Sequence, residues 1–107
     1  MNRLFNCLNN IPKDFTGQCY IHNIQCMVWI YKGMFHHTTE PALVYSNGGM
    51  EYRVFNKRHR IGGPCIHWGK LNDIRFYYIN NIPYTEEDYW QQPELIKFKL
   101  NRILTEL

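Results

Sequence analysis

The stretch RVFNKRHR concentrates the chain's basic chemistry, setting Arg53, Lys57, Arg58 and Arg60 around His59. Guanidinium groups match the paired oxygens of phosphates and carboxylates, so this cluster suits an anionic small molecule or an acidic protein surface. Tyr and Trp side chains nearby add stacking, as nucleotide recognition requires. The same residues also fit a solvated turn in which His59 bonds locally and the arginines reach carbonyls or acids such as Glu40. A net charge of +3 over 107 residues permits an acidic partner without requiring one.

Nucleophiles and metal ligands are a weaker prospect. Five histidines and four cysteines contain no Cys-x-x-Cys or His-x-x-x-His spacing of a zinc site, and His36 and His37 diverge in extended chain. Cys65 and His67, two residues apart, would share one strand face as a thiol and its base do. Yet Cys65 occupies a column, described below, that also holds Cys19 and Ala42, so a small side chain beside proline explains it better. No carboxylate pair, phosphate-binding glycine loop or nucleophile elbow is present. The chain therefore reads as a non-enzyme with no catalytic residue, no metal site and no cofactor. Cys7, Cys19, Cys26 and Cys65 read as reduced thiols, mostly buried, because their spacing outlines no disulfide framework.

The elements that must position these residues are repeated. GMFHHTTEPALVYSNGGMEYRV from Gly33 aligns on NKRHRIGGPCIHWGKLNDIRFYY from Asn56, 23 residues on, placing His36 on His59, Pro41 on Pro64 and Ala42 on Cys65. The tetrapeptide NNIP, at Asn9 and again at Asn80, then marks the first and last units. Asn10, Gly33, Asn56 and Asn81 form a turn column, since Asn and Gly tolerate positive φ. A second turn column holds HNIQ, SNGG and GKLND. Between the turns lie runs rich in Val, Ile, Tyr, Trp and Phe, which favour strands. The expected fold is mainly β: hairpins chained into an antiparallel meander over residues 9–84, three units plus the start of a fourth.

Trp29, Tyr52 and Tyr77 fall in one column and are expected to form an aromatic ladder, with Ile30, Arg53 and Tyr78 on the opposite face. After Tyr84 the period changes. Thr85 is a candidate N-cap with Glu86, Glu87 and Asp88 in the first turn, and Pro93 ends that helix or opens a second. Ile96, Leu100, Ile103 and Leu107 then recur as a helical stripe, expected either to cap the open end of the sheet or to meet another chain. Residues 1–107 fit a single domain, with 85–107 as its helical cap.

The units GMFHHTTEPA and NKRHRIGGPC resemble a repeat of the type Asn-Gly-Lys-x-His-Arg-x-x-Gly-Pro-Ala found in proteins of giant DNA viruses and bacteriophages, similar in length and hairpin layout to MORN repeats. The match is closest at Lys57, His59, Arg60, Gly63 and Pro64, and the first unit lacks both the His-Arg and Pro-Ala pairs. The resemblance implies a viral binding or scaffold protein located in the host cytoplasm or on the virion, and supplies no catalytic residues. High Asn and Ile content, eleven each, fits an AT-rich coding sequence. No apolar run reaches bilayer-spanning length and the start carries no signal-peptide pattern, so an intracellular protein without a membrane span is expected.

Two functional readings follow. The first is a protein-interaction module with a host or viral partner, dimerising through Ile96, Leu100, Ile103 and Leu107. The second is a binder that sequesters a nucleotide signal of host defence through Arg53, Lys57, Arg58, His59 and Arg60 beside Trp29, Tyr52 and Tyr77.

Overall fold

The structure, a computed structural model, describes residues 3–69 and 73–106. Chain order is β1 (Arg3–Phe5), a 3-10 turn (Leu8–Asn10), β2 (Gly17–Ile21), β3 (Cys26–Tyr31), β4 (Met34–Phe35), β5 (Leu43–Tyr45) and β6 (Met50–Glu51). It continues with β7 (Arg53–Val54), β8 (Lys57–Arg58), β9 (Ile66–Trp68), β10 (Ile74–Ile79), β11 (Ile82–Tyr84), α1 (Glu86–Trp90) and α2 (Pro93–Thr105). One sheet runs β1-β2-β3-β5-β6-β9-β10-β11 with β4 added beside β3, while β7 and β8 form a separate ribbon. The fold is mainly β, as the alternating aromatic and β-branched runs predict.

From β2 to β11 every pair is antiparallel. The sheet as a whole is nonetheless mixed, because β1 pairs parallel with β2 from Arg3↔Cys19 to Phe5↔Ile21. β1 precedes the hairpin repeats, and residues 6–16 supply the crossover that a parallel neighbour needs.

The Asn/Gly column makes the tight turns. Lys32-Gly33, Phe55-Asn56 and Asn80-Asn81 each have two successive positive φ values, at 48° and 79°, 47° and 67°, and 49° and 68°. That is the type I′ arrangement, whose twist matches that of the strands it joins. Gly33 has a second reason to be glycine: a Cβ there would lie 2.0 Å from the Lys13 carbonyl oxygen. Asn56 and Asn81 have room for a side chain, and use it. Asn56 Oδ1 accepts from the Phe35 amide at 2.7 Å, and Asn81 Oδ1 accepts from the Arg58 amide at 2.8 Å, so each turn is tied to the unit before it.

Asn9-Asn10 departs from this pattern, since the first NNIP lies on the 3-10 turn and the last in a type I′ turn. Identical tetrapeptides thus take different conformations. Asn10 instead accepts a contact from the Cys7 thiol, within its own turn.

Alternation along the strands buries one face. Cys19 and Ile21 on β2, Cys26, Val28 and Ile30 on β3, and Leu43 on β5 pack with Phe5 and Ala42 into one apolar cluster. A second cluster joins Tyr77 and Ile79 of β10 to Tyr89 of α1 and Leu95 of α2. The first helix is capped as expected, with Thr85 Oγ1 accepting from the Asp88 amide, and Pro93 opens the second. Tyr89 fastens this end: its buried hydroxyl donates to the Arg60 carbonyl at 2.6 Å and accepts from the Gly62 and Gly63 amides at 3.0 and 3.3 Å.

The apolar stripe of α2 does not cap the sheet. Leu95 is the side chain buried there, and Phe98 packs half-buried on the same face over Gly62. Ile96, Leu100 and Ile103 lie on the other side and face solvent, joined by Leu104. Leu107 lies outside the described residues.

Candidate functional site

Most of the basic cluster is already engaged. Arg53 and Arg58 stand directly opposite each other on β7 and β8, an unfavourable pairing of like charges in isolation. Glu51 removes the conflict. Its carboxylate, only 4% exposed, accepts from Arg53 Nε at 2.6 Å and from Arg58 Nε at 2.9 Å. Glu51 faces inward because β6 pairs it with Leu43 on one side and Ile66 on the other, both buried. A buried carboxylate needs this pairing, and Arg58 is in turn held more firmly protonated by its hydrogen bond to Glu51. The ribbon is therefore locked onto the sheet by an acid that the sequence reading had sought at Glu40. Lys57 alone among these basic side chains projects fully into solvent.

His59 is also structural in part. Its Nδ1 accepts from the Asn80 amide at 3.0 Å, and His36 Nδ1 does the same for Phe55 one unit earlier, also at 3.0 Å. The histidine column thus holds the first amide of the next tight turn. Burial lowers the His59 pKa from its ordinary value, with Glu94 acting in the opposite sense. A neutral ring whose Nδ1 accepts must carry its proton on Nε2.

The aromatic column does not stack on itself. Trp29 meets the His37 ring at 5.0 Å, Tyr52 lies 4.0 Å beneath the Arg60 guanidinium, and Tyr77 meets Tyr89 at 4.8 Å. Each aromatic is covered by a side chain from further along: His37 and Arg60 in equivalent positions, then Tyr89 of α1 where the repeats stop. The expected ladder is thereby interleaved. Sequence spacing identified the rings but not the covering groups, which come from the neighbouring unit.

Cys65 and His67 form no dyad. Cys65 is fully buried, its thiol donates to the Tyr52 carbonyl at 3.0 Å, and burial pushes its pKa up to about 11. His67 bonds Asp73, which also binds Arg75 on the exposed surface. The four cysteines are free thiols, Cys19, Cys26 and Cys65 buried and Cys7 half-buried. Among the described residues no group of three or more His, Cys, Asp or Glu side chains is placed to hold a metal ion, and no helix is long and apolar enough to cross a membrane.

Among the described residues two surface features bear on binding. One is the exposed apolar face of α2. The other is a groove of about 380 Å³ between the His37 loop and the Arg60 loop, bordered by Tyr52 and His59. Of the residues singled out from sequence, the groove gathers Tyr52, His59 and Arg60; Arg53 and Arg58 turn to Glu51, and Tyr77 is buried under α1. It also brings in His37, Thr38 and Thr39, which the sequence reading left out; His37's alignment with Arg60 was the available signal. Compared with family models, curated proteins and solved structures, the chain matches none of them.

Proposed function

We propose that this chain is a non-enzymatic hairpin-repeat module that works by binding protein through the outer face of α2, and that it pairs there with a second copy of itself. The observation that carries this reading is the apolar face itself. Ile96, Leu100, Ile103 and Leu104 are 54–59% exposed on one side of a 13-residue helix whose opposite side is already packed. Ile96, Leu100 and Ile103 follow the 4-3 spacing of a coiled-coil seam. Lys99, Arg102, Ile103 and Glu106 border one shallow groove along this face. An antiparallel crossing with its twofold axis between Arg102 and Ile103 sets Lys99 of each copy near Glu106 of the other, two complementary contacts that offset the approach of the two Arg102 side chains at the axis.

Completing the burial of these side chains is worth roughly 1 kcal/mol each, about half the value for full burial. Eight of them in a pair give about 8 kcal/mol against a rigid-body cost of at least about 4. With that cost at its low end the net is about 4 kcal/mol, a weak dimer with Kd on the order of 1 mM.

Sedimentation equilibrium up to about 1 mM protein tests this. The wild type should dimerise, and Leu100→Lys with Ile103→Lys should remain monomeric with an unchanged circular dichroism spectrum and melting point. A wild type that stays monomeric at that concentration would defeat self-association. A dimer that survives the double substitution would place the interface elsewhere.

A further inference from the structure

We propose that the groove between the His37 loop and the Arg60 loop is an oxyanion site for a small, soluble phosphate monoester. This site is separate from the α2 face and independent of what binds there.

The polar groups around the groove are donors or carry donors. Arg60 has no carboxylate within ion-pair distance among the described residues, unlike Arg53, Arg58 and Arg75. Its guanidinium is nevertheless fixed in place, lying over Tyr52 and donating from Nη1 to the Pro64 carbonyl at 3.0 Å. Gly63 permits that position, since a Cβ there would come within 2.9 Å of the Arg60 Cζ. Nε and Nη2 are left for a ligand, in the forked arrangement that matches two phosphate oxygens.

Both imidazoles are oriented by the backbone. His37 Nδ1 accepts from the Thr39 and Glu40 amides at 3.2 and 2.8 Å, and His59 Nδ1 accepts from Asn80. Each ring therefore has an Nε2–H as its remaining polar group. The hydroxyls of Thr38 and Thr39 border the same space, and no Asp or Glu is among its described lining residues. One cation without an ion-pair partner among the described residues, two oriented N–H donors and two hydroxyls fit an oxyanion; no carboxylate stands in the lining, and Glu94 acts on His59 from outside it. The volume fits a phosphate bearing a small organic group, being near the lower end for ligand sites. A larger cavity beside β10 does not share this character, since Asp73 and Glu86 sit there with Arg75.

The test uses the intact ¹⁵N-labelled protein titrated with inorganic phosphate and then phenyl phosphate, with sodium chloride holding ionic strength constant. Saturable shifts should occur together at Nε2 of His37 and His59 and at Nε of Arg60, with phenyl phosphate binding at least as tightly as phosphate. Arg60→Gln should weaken binding at least about tenfold, the value of one charge-assisted hydrogen bond. His37→Gln, away from the Tyr89 lock, is the second variant and should weaken it at least about twofold, the low end for a neutral bond.

The proposal is overturned if neither probe saturates by about 20 mM, if the shifts centre on Lys57 or Arg75, or if folded Arg60→Gln binds as well as wild type. Should Arg60→Gln not fold, unchanged binding by His37→Gln overturns it alone. Sedimentation with phosphatidic acid vesicles, without any response to phosphate or phenyl phosphate, would replace the soluble ligand by a lipid headgroup and also refute it.

Discussion

Tyr89→Phe removes a single oxygen and isolates what holds the helical end to the sheet. The ring can stay, packed on Tyr77 at 4.8 Å and on Trp90 at 5.2 Å. What goes is one donated and two accepted hydrogen bonds. The Gly63 amide is buried, and losing the hydroxyl orphans it at a cost of about 1–3 kcal/mol, while the bond to the Arg60 carbonyl contributes about 1 more. Gly62 is half-exposed and can turn to water. The sum is roughly 2–4 kcal/mol, a large fraction of the roughly 5–15 kcal/mol that holds a domain of this length. With a urea m-value of about 2 kcal/mol/M, the unfolding midpoint should fall by roughly 1–2 M with m unchanged. Tryptophan fluorescence, which Trp90 reports from beside Tyr89, should coincide with far-ultraviolet circular dichroism. Tyr78→Phe is the control, since its hydroxyl makes only a 3.4 Å contact with Arg58 and its loss should cost less than about 0.5 kcal/mol. A Tyr89→Phe midpoint indistinguishable from this control would show that packing alone fixes α1 and that the three hydrogen bonds are incidental.

At Asn56, Ala should be worse than Gly in thermal melts: both lose the bond to Phe35, about 1 kcal/mol, but only Ala adds the cost of a φ of 67°, about 1–2 kcal/mol. Equal melting points would refute the left-handed requirement. With a chromogenic disulfide at pH 8, the native protein should expose Cys7 to rapid reaction, because Cys19 is buried with a raised pKa and Cys26 and Cys65 are buried with values pushed to about 11. A second fast equivalent would contradict that burial. His59 has its folded pKa lowered below the ordinary 6.5, so below that pH the unfolded chain takes up protons that the folded chain does not. Stability relative to a His59→Gln variant should therefore fall as pH drops from 6.5 towards the folded value, and a gap constant with pH would exclude this linkage.

The tight turns were legible because positive φ leaves few residue choices, and Gly33, Asn56 and Asn81 declare it. Asn10 misled, since the same residue type also suits a 3-10 turn and nothing local distinguishes the two. The basic ribbon was legible as a cluster but not as a closed one. Its acid, Glu51, sits in an apolar column between Leu43 and Ile66, where an inward carboxylate is credible only once cross-strand register has brought two arginines over it. The α2 stripe was found by its period, yet the helix turned a different face inward. Leu95 and Phe98 were chosen by the geometry of the α1 connection and the space over Gly62, which helical spacing does not encode. In the groove, Arg60 and His59 were visible in sequence, but their contrast with Arg53 and Arg58 depends entirely on which cations find a carboxylate.

The amide and side-chain ties between successive tight turns fix chain length more strictly at that end of the hairpins than at the other. His36 reaches Phe55 and His59 reaches Asn80, while Asn56 and Asn81 reach back, so a single residue inserted between a tight turn and the histidine that follows it, as between Asn56 and His59, would disturb more than one tie. At the far end the register Leu43↔Glu51 recurs as Ile66↔Phe76, with the second span two residues longer. Such a chain can grow or shrink by whole units through duplication while the spans at its far end vary in length. An engineer would place short insertions at Asn47 or Gly48, and would otherwise lengthen the protein only by copying a complete hairpin.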